Sequence, residues 1–478
     1  PMIGFGQNVN IPDANFKAYL VGNILINTNG DAEIQVSEAT VFNGSIISYN
    51  MNIADLTGIE EFSSLTFLNC GYNQLTSLNV TQNIALQTLY CHSNQLINLD
   101  VSNNLSLTNL NCNNNQLTSL HVNNNTALIS LYCEDNQIDS LDLNSIPIEY
   151  IICSNNNITY LNINNTALTN AQFSMYSIWG NPYTTIIISN NQILSSLTYC
   201  LNNLTIENLQ ISNNPSLNSI SIENTQITNL NINNNTLFYL TLENMQVDTI
   251  NVNNNTTLLD FYCYPNQISV LNVNNNPALT NLYCQNNQLT SLDVSNNLAL
   301  NELYCGNNYL TNLDVSTNLA LTDLECNNNQ LTSLYVSTNT ALTSLSCNDN
   351  LISCLDVSVN LALTNLNCSN NLIDQFNTKN GNWINNLYVN AMSNNLLCAE
   401  VDNIGYATNN WLFDSFTALN TNCNYSNPCN MIYGCTDLLA CNYNSLANID
   451  DSSCVYPSGI QQSFSICNGD SVLVGNNV

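Results

Sequence analysis

The stretch "LYCQNNQLTSLDVSNNLALNELYCGNNYLTNLDVS", Leu282 to Ser316, contains the same unit twice. Cys284 and Cys305 stand 21 residues apart in matching surroundings. Further cysteines continue the series at the same spacing: Cys326, Cys347 and Cys368. A short period that runs through most of a chain indicates a solenoid, in which each unit packs on its neighbours. The role of the recurring cysteine is open at this point, because metal binding, disulfide bonding, catalysis and packing all use this residue.

Each unit consists of two half-repeats, L-x-C-x-x-N-x-L-T-x and L-x-V-x-x-N-x-x-L-x-x. L-x-C and L-x-V predict short strands, because alternate residues point to the same side of a strand. The pattern predicts about fourteen coils of parallel strands over residues 44–377, with an irregular insertion at 174–209. The ladder cysteines are Cys70, Cys91, Cys112, Cys133, Cys153, Cys263, Cys284, Cys305, Cys326, Cys347 and Cys368. Other residues are expected in the cysteine slot between Cys153 and Cys263: Phe173, Ile188, Ile222 and Leu242.

Two columns of asparagine accompany the strands, and their amides are expected to bond the backbone of their own and neighbouring coils. The first column follows the cysteine by three residues: Asn73, Asn94, Asn115, Asn136, Asn266, Asn287, Asn308 and Asn329. The second follows the valine: Asn83, Asn104, Asn125, Asn255, Asn276, Asn297, Asn318 and Asn339. These columns predict that the turns stack in register.

The substitutions in the cysteine slot favour packing as the role of these residues. A slot that accepts isoleucine or leucine is an apolar core position, where a thiol acts as a small hydrophobic group. The chain has only two histidines, His92 and His121, and His92 directly follows a cysteine, so it points to the opposite face. We therefore expect buried thiols in place of metal sites or disulfides.

The charge balance limits the classes of partner. Two basic side chains, Lys17 and Lys379, stand against 33 acidic ones, which gives a net charge of -31. With only two basic residues the chain can neutralise few phosphates, so nucleic acid and anionic membranes are poor partners. No apolar run is long enough to span a bilayer. Because no catalytic grouping stands out, we expect a binding protein that requires no cofactor.

The unit L-x-x-L-x-C-x-x-N-x-L, as in "LTNLNCNNNQL" at residues 107–117, resembles the leucine-rich repeat, and the form with cysteine is similar to the cysteine-ladder internalins. The segment "IADLTGIEEFSSLTFLNC" at residues 53–70 also looks internalin-like. The resemblance implies a right-handed solenoid on the outer surface of a bacterium, which binds a protein or glycan partner on its concave strand face. The expected role is adhesion or recognition. The alternative is a structural subunit of an extracellular fibre or matrix, with self-association.

In leucine-rich repeats the outward strand residues line the concave face, and here they predict a ligand-binding site. Tyrosine offers a flat apolar body and a hydroxyl, and nearby carboxylates accept sugar hydroxyls or a basic partner. The predicted site residues are Tyr262, Tyr283, Tyr304, Asp260, Glu302 and Asp323. The competing interpretation is that the tyrosine column is a product of repeat duplication. The insertion with Trp179 is either a binding loop or a degenerate repeat.

The N-terminal part is expected to close one end of the core. Residues 1–7 resemble the end of a secretory signal peptide, with an ordinary disordered terminus as the alternative, and residues 8–43 predict a helical cap. Its segment "NTNGDAEIQVSE" resembles an EF-hand loop with these predicted calcium ligands: Asn27, Asn29, Asp31, Glu33 and Glu38. Asparagine at position 1 and Ala32 in place of the turn glycine depart from that motif.

The C-terminal part divides into three segments. Residues 378–424 resemble the C-terminal cap of secreted bacterial leucine-rich-repeat proteins, which implies a disulfide between Cys398 and Cys423. Residues 425–459 are similar to a Cys- and Asp-rich module of bacterial surface proteins, and residues 460–478 resemble the start of a β-module. The resemblance implies that the chain is a substrate of type IX secretion. The pairing of four cysteines stays open: Cys429, Cys435, Cys441 and Cys454.

Overall fold

The computed structural model describes residues 6–168, 178–198, 205–247, 249–385 and 387–425. The described residues form a β-solenoid of parallel strands with about 17 turns, which confirms the predicted solenoid architecture. Two compact units are distinguished: the described residues up to 292 with 296–309, and residues 293–295 with the described residues from 310 onward. The predicted signal remnant lies outside the described residues over 1–5, and so do the C-terminal segments from 426 onward.

The cysteine side of the first unit consists of short parallel strands. Six of them form one sheet: β1 (Ser45–Ile47), β2 (Phe67–Asn69), β3 (Thr88–Tyr90), β4 (Asn109–Asn111), β5 (Ser130–Tyr132) and β7 (Tyr150–Ile152). The later turns continue with β10 (Ser196–Thr198), β12 (Ser219–Glu223), β14 (Tyr239–Glu243), β16 (Asp260–Tyr262), β18 (Asn281–Tyr283) and β19 (Glu302–Tyr304). Equivalent residues of successive turns face each other, as Leu282 and Leu303 do.

The valine side of the first unit forms a second parallel sheet. Its strands are β6 (Ser140–Asp142), β8 (Tyr160–Asn164), β9 (Thr185–Ser189), β11 (Thr205–Ser212), β13 (Gln226–Asn233), β15 (Thr249–Asn251) and β17 (Val270–Asn272). The regular turns before residue 140 have no extended strand on this side, although their valines are buried as well.

The second unit repeats the same arrangement. Its cysteine-side strands are β20 (Asp323–Glu325), β21 (Ser344–Ser346), β23 (Asn365–Asn367) and β25 (Tyr388–Asn390). Its valine-side strands are β22 (Cys354–Asp356), β24 (Gln375–Asn377), β26 (Cys398–Glu400) and β27 (Ala418–Asn420). Parallel pairing thus extends beyond residue 377, where the predicted repeats end. These additional turns explain why the expected number of about fourteen was too low.

The core consists of inward columns of leucine, cysteine and valine. All eleven ladder cysteines are buried thiols, which confirms the packing interpretation. Burial raises the pKa of the Cys70 thiol to about 12, so the reactive thiolate is suppressed at neutral pH. These cysteines therefore contribute to the stacking of turns and not to a reactive site.

Both asparagine columns connect neighbouring turns, as predicted. The Nδ2 of Asn94 donates to the carbonyls of Cys70 and Cys91, each at 3.0 Å, while its Oδ1 accepts from the N–H of Leu75 at 2.9 Å. In the second column Nδ2 of Asn104 donates to the carbonyls of Val80 and Asn83, both at 2.9 Å. In the first column one amide thus uses both donor hydrogens and its acceptor, whereas Oδ1 of Asn104 in the second column has no hydrogen-bond partner among the described residues.

The turns between Cys153 and Cys263 are irregular, and one slot assignment there was wrong. Ile188 lies in the valine column, where it pairs with Ile163 and Ile211. Ile178 takes the next cysteine slot, because Nδ2 of Asn181 donates to its carbonyl and to that of Cys153, both at 3.0 Å. The frame shifted because this turn is longer than the others.

Ile222 and Leu242 do occupy the cysteine slot, as expected, and face each other. Phe173 lies outside the described residues. The described part of the predicted insertion, including β9, continues the solenoid, so it is a degenerate repeat there.

A helical cap precedes the first turn. It contains α1 (Ala14–Val21) and α2 (Val36–Val41), and a 3-10 helix follows at Ile59–Glu61. Asp13 caps α1 by accepting from the N–H of Phe16 at 3.0 Å through Oδ1, and its Oδ2 accepts from the N–H of Ala54 at 2.8 Å. One carboxylate thus attaches the cap helix to the first repeat.

The C-terminal cap follows β24. A 3-10 helix spans Asn382–Asn385, and α3 (Ile404–Asn410) lies between β26 and β27. The expected disulfide between Cys398 and Cys423 is present, with a Cα–Cα distance of 5.9 Å. Cys354, to which the repeat pattern assigned no role, is also disulfide-bonded.

Candidate binding face and calcium loop

The predicted tyrosines lie on the outward face of the cysteine side. Tyr262, Tyr283 and Tyr304 end β16, β18 and β19, and each follows a buried residue and precedes a buried cysteine. In-register pairing places them side by side on three successive turns. We call these three residues the tyrosine face.

The three rings of the tyrosine face contact one another. Tyr262 and Tyr283 are stacked, with ring centroids 4.5 Å apart and planes inclined by 7°. Tyr283 and Tyr304 meet edge to face, with centroids 4.9 Å apart and an angle of 89°. All three side chains are partly exposed, so the rings form one continuous aromatic surface on the first unit.

Carboxylates adjoin this surface. The hydroxyl of Tyr283 donates to Glu302, and Nδ2 of Asn281 donates to Oδ1 of Asp260 at 2.5 Å. Partial burial, together with the Glu302 carboxylate, raises the pKa of Tyr283 far above its usual value. Tyr283 is therefore a neutral hydrogen-bond donor and not a nucleophile.

Five of the six predicted site residues thus come together in the first unit. Asp323 begins β20 in the second unit, where its Oδ2 accepts from the Thr322 hydroxyl at 3.0 Å. The pKa of the neighbouring Glu325 is raised by burial and by the charge of Asp323. Sequence reasoning found the residues of this face, but the bond between Tyr283 and Glu302 depends on side-chain geometry and was not foreseen.

The predicted calcium loop is held together by its own side chains. Oε1 of Glu38 accepts from the N–H and the hydroxyl of Thr28 at 2.8 and 2.9 Å, and Oε2 accepts from the N–H of Gln35 at 3.0 Å. Glu33 forms an ion pair with Lys17 at 2.7 Å. The Glu38 carboxylate therefore closes the loop from within the chain.

The remaining predicted ligands are likewise engaged. Oδ1 of Asn27 accepts from the N–H of Gly30 at 3.0 Å, and Oδ2 of Asp31 accepts from Nδ2 of Asn29 at 2.9 Å. A calcium ion would have to replace these bonds. Within the described ranges no three His, Cys, Asp or Glu side chains form a group that could hold a metal ion. Calcium binding stays a prediction.

A second aromatic group lies on the same side of earlier turns, and sequence reasoning missed it. Tyr49 and Tyr72 have ring centroids 5.3 Å apart, and the His92 ring lies 5.4 Å from Tyr72 and 6.4 Å from Tyr90. We call Tyr49, Tyr72, Tyr90 and His92 the His92 cluster. Tyr49, Tyr72 and His92 come after the inward residue of their turn. The predicted binding residues come before it, so the pattern used for them does not include these three.

Comparison with known proteins gives structural likeness alone. The sequence matches no model of a protein family and no curated protein. It is similar to the functional domain of InlJ from Listeria monocytogenes, which includes a cysteine ladder, with 26% identity, 82% of each chain covered and a TM-score of 0.28. The internalin InlF from Listeria monocytogenes is 18% identical over 78% of this chain and 94% of its own, with a TM-score of 0.29.

A leucine-rich-repeat protein of Leptospira interrogans is also similar. It is 18% identical, with 74% of this chain and 95% of that chain covered and a TM-score of 0.31.

Proposed function

We propose that this chain is a recognition protein that binds a protein or glycan partner through the tyrosine face. The observation that carries the proposal is the column of contacting rings of Tyr262, Tyr283 and Tyr304, which exposes aromatic surface beside Asp260 and Glu302. Aromatic anchors next to hydrogen-bonding groups are typical of binding hot spots. With a net charge of -31, the face suits partners that are basic or rich in hydroxyl groups.

We further propose that the chain acts outside the cell, at a bacterial surface, and that it binds without catalysing a reaction. The disulfide between Cys398 and Cys423 supports an oxidising compartment, because such bonds are rare where thiol buffers keep cysteines reduced. No helix in the described stretches has the length and hydrophobicity needed to cross a bilayer. Adhesion is the role that best unites these features.

The alternative role as a fibre subunit has less support. End-to-end stacking needs an open strand edge, but the N–H of Ile47 in the first strand already donates to the Tyr19 hydroxyl at 2.8 Å. Sedimentation of the purified chain at increasing concentration distinguishes the two roles. A monomer at every concentration supports recognition, and reversible growth into filaments supports the fibre.

The proposal is tested by screening the purified chain on arrays of glycans and of extracellular proteins. A variant with Tyr262, Tyr283 and Tyr304 changed to Ser is expected to lose the selected partner by tenfold or more, as is usual when several anchors are removed, at roughly 1.4 kcal/mol per factor of ten. The matched control removes three other tyrosines of the first unit, which are 36% to 51% exposed: Tyr150, Tyr160 and Tyr309. Unchanged affinity in the first variant would refute the assignment of this face.

A further inference from the structure

Tyr72 departs from the repeat at a position where the backbone disfavours it. Its φ is 55°, in the left-handed region. Every other non-glycine residue with a positive φ among the described residues is Asn, Asp or Ser. Those residues tolerate this region because their short polar side chains bond locally, whereas a bulky aromatic residue there is a conformational outlier. Such outliers concentrate at functional sites.

Gly71 and His92 show a second departure in adjacent turns. A Cβ atom on Gly71 would lie 2.5 Å from Cε1 of His92, so with any other residue here the imidazole would have to shift. The Nδ1 atom of His92 is shielded from solvent and has no hydrogen-bond partner among the described residues. The ring is therefore held by aromatic contacts, at the cost of a buried polar atom.

The unusual residues Tyr72, Gly71 and His92 are not explained by packing in the core. Tyr49 and Tyr72 are 43% and 54% exposed, and they contact each other and His92 on the surface. Repeat duplication does not explain Tyr72 or His92 either, because no other ladder turn places tyrosine in the Tyr72 slot or histidine in the His92 slot, whereas Tyr90 stands in the same slot as the tyrosine face. A function on the exposed ring faces accounts for both observations.

The charge of the chain indicates which ligand these rings suit. Only two basic residues exist, and Lys17 is paired with Glu33. Burial lowers the pKa of His92, so its ring is uncharged at neutral pH and does not repel a cation. The faces of tyrosine rings attract ammonium and guanidinium groups, and the net charge of -31 favours their approach.

We propose that the His92 cluster binds a cationic side chain, lysine or arginine, of a protein partner by cation–π contact. This site is separate from the tyrosine face and does not share residues with it. Tyr72 and Tyr49 present the exposed ring faces, and Tyr90 and His92 hold them in place.

The test compares a short peptide of alternating glycine and arginine with its citrulline counterpart, which has nearly the same shape without the charge. Binding to the full chain is measured by titration calorimetry at about 0.15 M ionic strength. The arginine peptide is expected to bind about threefold to tenfold more tightly than the citrulline peptide. Tyr72→Asn installs the residue type that other turns carry, so it is expected to remove most of this preference while the melting temperature stays equal or rises.

The matched control is Tyr309→Gln, which replaces another exposed tyrosine of the first unit by the residue found in the preceding turn, Gln288. It should leave the preference for arginine unchanged. Equal binding of the two peptides would overturn the proposal, and so would an equal loss in both variants. Weaker binding together with a lower melting temperature in Tyr72→Asn would also overturn it, because the residue would then be structural. If Tyr72→Asn weakens the binding of a neutral oligosaccharide but not that of the arginine peptide, the cluster binds a sugar and the proposal of a cationic ligand is wrong.

Discussion

At the scale of single residues, Cys284 shows how the repeat uses a reactive group as a packing group. Its side chain is fully buried between the equivalent turns, and burial raises the pKa of its thiol well above the usual value. The slot accepts Ile222 and Leu242 in other turns, so shape and apolarity matter there more than sulfur chemistry.

The effect of replacing Cys284 on the free energy of unfolding should therefore depend on the polarity of the new side chain. Cys284→Val is expected to change the free energy of unfolding by less than about 1.5 kcal/mol, because the volumes are similar. Cys284→Ser is expected to cost about 1–3 kcal/mol, since it buries a hydroxyl. Urea denaturation measures both, with the exposed Thr290→Ala as control. A serine variant as stable as the valine variant would contradict the packing interpretation.

The sequence was sufficient to predict the inward and outward columns, because a period of two in a strand assigns each residue to a face. It was not sufficient for Ile178, since a longer turn shifts the slot in a way that spacing alone does not reveal. Tyr72 was recognisable in principle, because tyrosine stands where the repeat places Asn, Asp or Ser. The contact of its ring with His92 required side-chain positions.

At the scale of elements, the N-terminal cap depends on two carboxylates. Asp13 bonds α1 to Ala54, and Glu38 closes the loop before α2. For each, burial acts to raise the pKa, but the surrounding N–H groups, with the Thr28 hydroxyl at Glu38, outweigh it and hold the pKa below its usual value. Both groups therefore stabilise the fold in the ionised form.

Glu38→Gln should lower the free energy of unfolding by about 1.5–3 kcal/mol at neutral pH, because it weakens several charge-assisted bonds. The contribution of Glu38 is complete above the usual carboxyl pKa of 4.5 and is lost as the pH falls through the lower folded value. Thermal melts from neutral to acidic pH should therefore converge for the two proteins. If the melting temperatures of the two proteins still differ at acidic pH, the ionised Glu38 carboxylate is not the source of the stabilisation.

Calcium is tested in the same pair of proteins. If the loop binds the ion as proposed, calcium raises the melting temperature of the parent chain and not that of Glu38→Gln, which lacks the bidentate ligand. Magnesium at the same concentration is the control. If calcium leaves both melting temperatures unchanged, the loop is a cap held together by its own residues.

At the scale of the whole molecule, the surface is polar but nearly free of positive charge. The chain has 33 acidic side chains and two basic ones. Such a surplus opposes compaction through repulsion, which salt screens. The asparagine columns and the apolar stacking of the turns therefore have to stabilise the fold against this repulsion.

Raising sodium chloride from low to near-molar concentration should therefore increase the melting temperature. A gain of about 1 kcal/mol corresponds to roughly 1 °C in a chain of this size, because the entropy of unfolding grows with the number of residues. Differential scanning calorimetry measures the shift, and an equal rise in potassium chloride identifies charge screening instead of specific sodium binding. A melting temperature that is constant or falls with salt would show that repulsion is unimportant here.

The unequal turns after Cys133 have a consequence for how the chain finds its alignment. Cys70, Cys91, Cys112 and Cys133 follow each other at 21 residues, so a displacement by one turn would match leucine to leucine and asparagine to asparagine there. The next steps, 20 residues to Cys153 and 25 to Ile178, interrupt that translational symmetry. A displaced strand would meet a partner of the wrong length at this point. The irregular turns therefore favour a single pairing register between successive turns, although the regular turns on their own would fit several.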